Sequence, residues 1–403
     1  MQKTVYFIFL LGALCLSKSH AARPDGAIPF IFDSHLYLQA TLNDTVPVTI
    51  IYDTGADFLY LDKDFLNLNH LQDAFGRKGT AHMGGAGSSD PQRVDIFIDP
   101  IKIRCGRLDY QNKITPIIGL RDILGRYIDG LLGNTHLLQA PLMINFSECY
   151  IAPLKEPLPP DSLVSYHKLE ARFEENRIDV KARMQIDSAN VVEGWFRMDL
   201  GSGSTVSLTN ETTSTLHLDQ IPKAYFRTQA GGVGGGSENM TLRATRFCMV
   251  DTLDNLVIDC SLNQKGALSS NRPYEGIIGN EIWSLYDIVI DPLHASVWVK
   301  RNANKGTYSQ SSVSHMATVD RTDICDGWIV NGLYQGGIAE RAGIEIGDTI
   351  IAINDRPVKE ITWKEQRNGL GLKGETRYTV KKSNGNTTTY VLTQSNYMTS
   401  QNR

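Results

Sequence analysis

Beyond residue 27 the apolar positions run in short blocks, either alternating with polar residues or nearly continuous. Residues 28–40, 46–52, 94–98, 101–105 and 288–300 read as strands, separated by turn pairs such as Asn43-Asp44 and Asp99-Pro100. Asp291-Pro292 ahead of Ala295-Ser296-Val297-Trp298-Val299 predicts a closing hairpin. Residues 35–40 alternate, which predicts a half-buried strand with His35 as a surface side chain. Helical periodicity is scarce, so the fold is expected to be mainly β. Two stretches interrupt the blocks. Residues 152–160 carry four prolines and predict a stiff, extended connector. Residues 301–316, rich in Asn, Ser, Gln, Lys and Gly, have no apolar period and predict a flexible boundary.

Ahead of these blocks, Lys3 precedes an apolar run over residues 5–16, and Ser19-His20-Ala21 offers small residues for cleavage, so residues 1–21 read as an export signal. A membrane-spanning helix needs about 20 apolar residues, and this run has twelve. No span is therefore expected after signal removal, and the mature protein is placed in the periplasm or outside the cell. Cys15 follows Ala13-Leu14, and that leucine does not fit the small residue of a bacterial lipoprotein signal. Cleavage after Ala21 removes Lys3 and Lys18, two positive charges, and takes the formal charge from -4 to -6. That balance gives no footprint for nucleic acid and suits peptide partners. Of the six cysteines, Cys105, Cys149, Cys248, Cys260 and Cys325 remain, an odd number in an oxidising compartment. Pairing Cys105 with Cys149 and Cys248 with Cys260 would leave Cys325 over, although sequence alone does not bring any two within bridging distance. There is no Cys-x-x-Cys, His-x-x-x-His or His-Glu-x-x-His, so neither a metal nor an organic cofactor is expected.

The 403 residues allow two to four domains at roughly 100–200 residues each, and comparing the chain with itself decides among them. Asp53-Thr54-Gly55-Ala56 follows an apolar strand, and so does Asp199-Leu200-Gly201-Ser202. Gly130-Leu131-Leu132-Gly133-Asn134 is matched by Gly276-Ile277-Ile278-Gly279-Asn280. The separations from Asp53 to Asp199 and from Gly133 to Gly279 are both 146 residues. Between these motifs, Gly84-Gly85-Ala86-Gly87 is matched by Gly231-Gly232-Val233-Gly234 at 147, a slip of one residue that a loop absorbs easily. Three ordered matches at nearly constant separation mark a duplicated domain.

Over roughly residues 25–303 these motifs resemble the aspartic proteases, nearer the retroviral-type and bacterial aspartyl proteases than pepsin. The resemblance implies two homologous acid-protease β-barrel lobes, residues 22–155 and 165–303, around a pseudo-twofold cleft. Asp53 and Asp199 would be the catalytic pair, with Thr54, Gly55, Ala56, Gly201 and Ser202 supporting their loops. Gly84 and Gly85 in the first lobe, and Gly231 and Gly232 in the second, would lie in flaps over the cleft. The second glycine run is no phosphate loop, because Ser237-Glu238-Asn239 follows it where Lys-Ser or Lys-Thr would be needed. His82-Met83, just ahead of Gly84, would either line the substrate channel or be exposed.

The chemistry explains the pairing. Two carboxylates about 3 Å apart share one proton, so one can take a proton from water while the other protonates the scissile carbonyl. Glycine after each aspartate lets the loops approach across the dyad. In the family a threonine hydroxyl after each aspartate bonds into the opposite loop, and Thr54 fits that role. Leu200 has no hydroxyl, so half of the lock is missing. A Ser202 hydroxyl on the Asp199 carboxylate, with no counterpart at Ala56, would make Asp199 the ionised partner and Asp53 the protonated one.

Residues 319–395 resemble a PDZ domain, an α+β unit. Trp328-Ile329-Val330 opens a strand, Gly337-Ile338-Ala339-Glu340-Arg341-Ala342-Gly343-Ile344 resembles its short helix, and Gly347-Asp348-Thr349-Ile350-Ile351-Ala352-Ile353-Asn354 its core strand. A polar helix near residues 362–368 and strands over 378–381 and 388–392 complete it. Such domains take a peptide as an added strand. The expected protein is thus a monomeric, exported aspartic endopeptidase with a peptide or protein substrate and a PDZ module for docking or regulation. The competing expectation is an inactive peptide-binding envelope protein that keeps the fold as a scaffold.

Overall fold

A computed structural model describes residues 23–85, 87, 90–229, 234–305, 316–368, 370, 372 and 374–393; residues 1–21, expected to be an export signal, and Gly231 and Gly232 lie outside the described residues. The chain is mainly β, and among the described residues its strands join into two sheets of 15 and 14 strands. No helix among the described residues is long and apolar enough to cross a membrane.

The first sheet joins the two halves in the order His167–Leu169, Ser296–Arg301, Tyr286–Asp291, Leu142–Asn145, Tyr150–Pro153 and Ile28–Asp33, three strands from each half of the repeat. Tyr286–Asp291 is buried along its whole length, as befits a strand covered on both faces. Its antiparallel partner Leu142–Asn145 sets Met143 opposite Val289, two residues 146 positions apart. A residue lying antiparallel to its own counterpart places an approximate twofold axis between them. The flanking hairpins keep the relation: Met143 pairs with Ala152, and Val289 with Trp298.

Each half repeats one arrangement around an Asp-x-Gly loop. In the first, Val46–Tyr52 runs parallel to Gly130–Leu132 with Tyr52 beside Leu132. In the second, Val191–Met198 runs parallel to Gly276–Ile278 with Met198 beside Ile278. The aspartate follows at once in both, with Asp53 N donating to Leu132 O and Asp199 N to Ile278 O, each at 3.0 Å. One continuous apolar core, including Ile50, Leu132, Ile144, Phe196, Leu200, Ile278 and Ile288, runs through both halves.

Two elements differ from the sequence reading. Residues 28–40 are two strands, because Ser34 takes φ 57° and folds Ile28–Asp33 back on His35–Leu42. Apolar alternation on both sides conceals that reversal. The Pro-rich connector is partly structured, since Pro153 ends the strand Tyr150–Pro153 and Pro160 opens the short helix Pro160–Leu163, a position where its missing N–H costs nothing.

The C-terminal unit has its own core, including Trp328, Val330, Ile344, Ile350, Val358, Tyr378 and Val380. Met316–Asp320, Trp328–Tyr334, Thr349–Ile353, Glu375–Lys381 and Thr387–Thr393 form its strands. The helix Ile338–Ala342 ends on Gly343 at φ 98°, the left-handed position that glycine fills without strain. The helix Trp363–Arg367 opens with a capping box between Thr362 and Glu365. This unit is joined to the second half by pairing Trp328–Tyr334 with Ala224–Thr228.

Candidate active site

The two Asp-x-Gly loops meet at the pseudo-dyad. Asp53 Oδ1 accepts from Gly55 N at 2.6 Å and Asp199 Oδ1 from Gly201 N at 2.9 Å, so each loop orients its own carboxylate. The side chains of Asp53 and Asp199 are also hydrogen-bonded to each other. The space around them is tight at Gly55 and closed to a side chain at Gly201. A Cβ on Gly55 would lie 3.0 Å from an oxygen of both aspartates, and one on Gly201 would overlap the Asp53 carboxyl.

Thr54 is buried and ties the loops together: its hydroxyl donates to Met198 O at 2.8 Å and accepts from Leu200 N at 2.9 Å. Leu200 is fully buried in the apolar core, so the link runs from one side only. Behind each loop stands an asparagine that sequence reading passed over. Asn134 Nδ2 donates to Thr54 O at 2.9 Å and Asn280 Nδ2 to Leu200 O at 2.6 Å. Their amides also match, with Asn134 N on Ala56 O at 2.9 Å and Asn280 N on Ser202 O at 2.8 Å. The Asn-after-Gly at equal repeat spacing was the available signal. Asn134 Oδ1 accepts from the buried Tyr52 hydroxyl at 2.8 Å. The counterpart of Tyr52 is Met198, which has no donor, and the buried Asn280 Oδ1 is left without a partner.

Each loop is further braced by a turn from the opposite half. Arg177 Nη1 donates to Ala56 O at 3.2 Å and to Asp57 Oδ1 at 2.6 Å. His35 Nε2 lies 3.1 Å from Gly201 O. His35 is therefore not a free surface side chain: its ring is drawn in against the second loop, and burial lowers its pKa. His82 is exposed on the strand Lys78–Met83.

Burial raises both aspartates, and they are not equivalent. Asp53 is pushed well above the usual carboxylate range by desolvation and then by the charge of Asp199. Asp199 is raised by desolvation, opposed by the Gly201 N–H, the hydrogen bond from Asp53, and the charges of Arg177 and Arg197. Both carboxyls are thus held above the usual carboxylate range, Asp53 the further of the two. The cause is not Ser202, whose hydroxyl lies 2.8 Å from Ser204 Oγ and is engaged there.

Each half also carries a hairpin at the matching position of the repeat. Lys78–Met83 pairs with Gln92–Phe97, and Ala224–Thr228 with Ser237–Cys248. Gly84 and Gly85 lie at the first tip, and Gly85 O accepts from Ala267 N of the second half at 3.1 Å. The tips touch, since a Cβ on Gly87 would lie 2.6 Å from Gly235 N. Gly234 and Gly235 take φ 108° and 96°, which other residues resist. All five described cysteines are free thiols, so neither intra-half pair is closed.

Residues 329–364 match the family model of the PDZ domain. No curated protein matches the chain. The C-terminal unit therefore contains a PDZ domain, a module that binds peptides.

Proposed function

We propose that the chain is an exported aspartic endopeptidase, two acid-protease lobes around a cleft, that hydrolyses peptide bonds with Asp53, Asp199 and a water. The observation that carries this reading is the pair of half-buried carboxylates on Asp-x-Gly loops, hydrogen-bonded to each other and both raised. Asp199, charged, takes a proton from water as its oxygen attacks the scissile carbonyl carbon. Protonated Asp53 gives its proton to the carbonyl oxygen, forming a tetrahedral diol. Collapse of the diol then breaks the C–N bond, with a proton passing to the leaving nitrogen. The PDZ domain acts as a docking or regulatory module, and the protein works as a monomer because both aspartates lie in one chain.

A second reading has its own support. Leu200 removes one half of the reciprocal lock, as would suit a cleft that binds peptides without cutting them. Denatured casein incubated with the mature chain from acid to neutral pH separates the two. Cleavage by the parent, lost in both Asp53→Asn and Asp199→Asn, is the expected result. Absence of any cleavage that depends on both aspartates would favour the binding protein.

A further inference from the structure

The matched hairpins are mounted differently. Lys78–Met83 is the last strand of its sheet, with one edge open. Its counterpart, Ala224–Thr228, is continued on its outer edge by the PDZ strand Trp328–Tyr334. Phe226 stands opposite Tyr334, Arg227 opposite Leu333 and Thr228 opposite Gly332. Gln335 N donates to Tyr225 O at 2.9 Å, and Gln229 N to Asn331 O at 2.8 Å. Ala224, Phe226 and Tyr334 add a small apolar cluster of their own at this seam.

The same PDZ domain is fastened to the first half at two places. Trp363 stacks on Tyr127 with ring centres 4.9 Å apart, meets Tyr37 edge-on at 4.8 Å, and donates through Nε1 to Asp33 Oδ2 at 2.8 Å. Arg321, almost fully buried, pairs with Asp64 and Asp122, while Arg121 of the first half donates to Asp323 Oδ2 at 2.9 Å. Next to Arg321, Arg126 of the first half donates through its backbone N to Asp320 O at 2.9 Å and through Nε to Asp320 Oδ2 at 3.3 Å.

We propose that the PDZ domain takes the chain's own hairpin strand, Ala224–Thr228, as its added strand, and so serves as a fixed mount for the second glycine-tipped hairpin. The second hairpin is held relative to the first half through the PDZ domain. The role of the hairpins as flaps rests on the peptidase reading, whereas the mount itself does not.

Hydrogen exchange of the full chain tests this without any hydrolysis. In the parent, amides of Ala224–Thr228 are expected to exchange at least about tenfold more slowly than those of Lys78–Met83, as several extra ladder hydrogen bonds require. A Cβ on Gly332 would lie 2.6 Å from the Phe226 ring, so Gly332→Val should open the seam and erase that difference while strands 35–42 and 177–185 stay protected. Trp363→Leu, which loosens the anchor on the other side, should also speed exchange in Ala224–Thr228. Equal protection of the two hairpins in the parent would overturn the proposal. So would a Gly332→Val hairpin as protected as the parent's, or acceleration throughout the chain. A response to Trp363→Leu confined to residues 33–37 and 121–128 would also overturn it. A chain that shows the expected exchange and cleaves nothing would keep the mount and remove the peptidase.

Discussion

The Thr54 hydroxyl holds the Leu200 amide at 2.9 Å, and Leu200 has no hydroxyl to offer in exchange. Thr54 therefore bears the side-chain-to-backbone link between the loops without a counterpart, and its loss should be felt in full. Thr54→Val leaves the buried Leu200 N–H and Met198 carbonyl each without this partner, at about 1–3 kcal/mol per buried group. The expected outcome is a clear drop in the urea midpoint, largely recovered by Thr54→Ser. A valine variant as stable as the parent would show that other groups satisfy both.

The two glycines differ in what a methyl group would meet. At Gly55 the added Cβ has 3.0 Å to the nearest carboxylate oxygens, whereas at Gly201 it falls inside the Asp53 carboxyl. Gly201→Ala is expected to displace Asp53 and abolish dyad-dependent cleavage. Gly55→Ala should retain a measurable fraction, because a shift of a few tenths of an ångström relieves it. Equal loss in both variants, measured as kcat/KM on one peptide, would contradict this ordering.

Asp53 gives a pH signature. Its folded pKa lies above the unfolded value of 3.8, so the folded chain binds more protons, and stability falls as pH rises through the interval between the two values. Asp53→Asn removes that titration. The variant is expected to melt a few degrees above the parent at neutral pH, by about 2–4 °C for each kcal/mol recovered. The gap should close on acidification toward the unfolded value. A gap independent of pH would mean that Asp53 carries no raised pKa.

Arg321 reports on the joint between the PDZ domain and the first half. Its buried guanidinium faces Asp64, Asp122 and Asp323. Arg321→Met leaves those carboxylates facing one another, and removing one partner of a buried ion pair costs about 3–5 kcal/mol. Thermal melting should show loss of a single cooperative transition, with the PDZ domain separating first. An unchanged melt would mean that the joint is held by the aromatic contacts around Trp363.

Some of this was readable from the residues and some was not. The repeat was, because the Asp-x-Gly loops and the Gly-Asn steps after Leu132 and Ile278 recur at one separation along the chain. Met143 and Val289 could be predicted as strand residues, but their pairing across the axis depends on how the halves assemble. Arg177 and His35 were hidden for a related reason. Each sits just after a reversal, at Glu175 and Ser34 with φ 52° and 57°, and acts on the half to which it does not belong. Alternation described His35 as a strand position and carried no information about the Gly201 carbonyl it meets. The seam between Ala224–Thr228 and the PDZ strand was hidden too, since strand addition uses backbone groups that every sequence has.

An exact twofold site presents the same face to a peptide and to that peptide laid down in the reverse direction. Here the two faces differ: a fixed cation, Arg177, braces one loop and a titratable imidazole, His35, the other, while Tyr52 satisfies an asparagine that Met198 leaves unmet. In the proposed peptidase, such unlike halves would let the site distinguish the N-to-C direction of the chain it cuts.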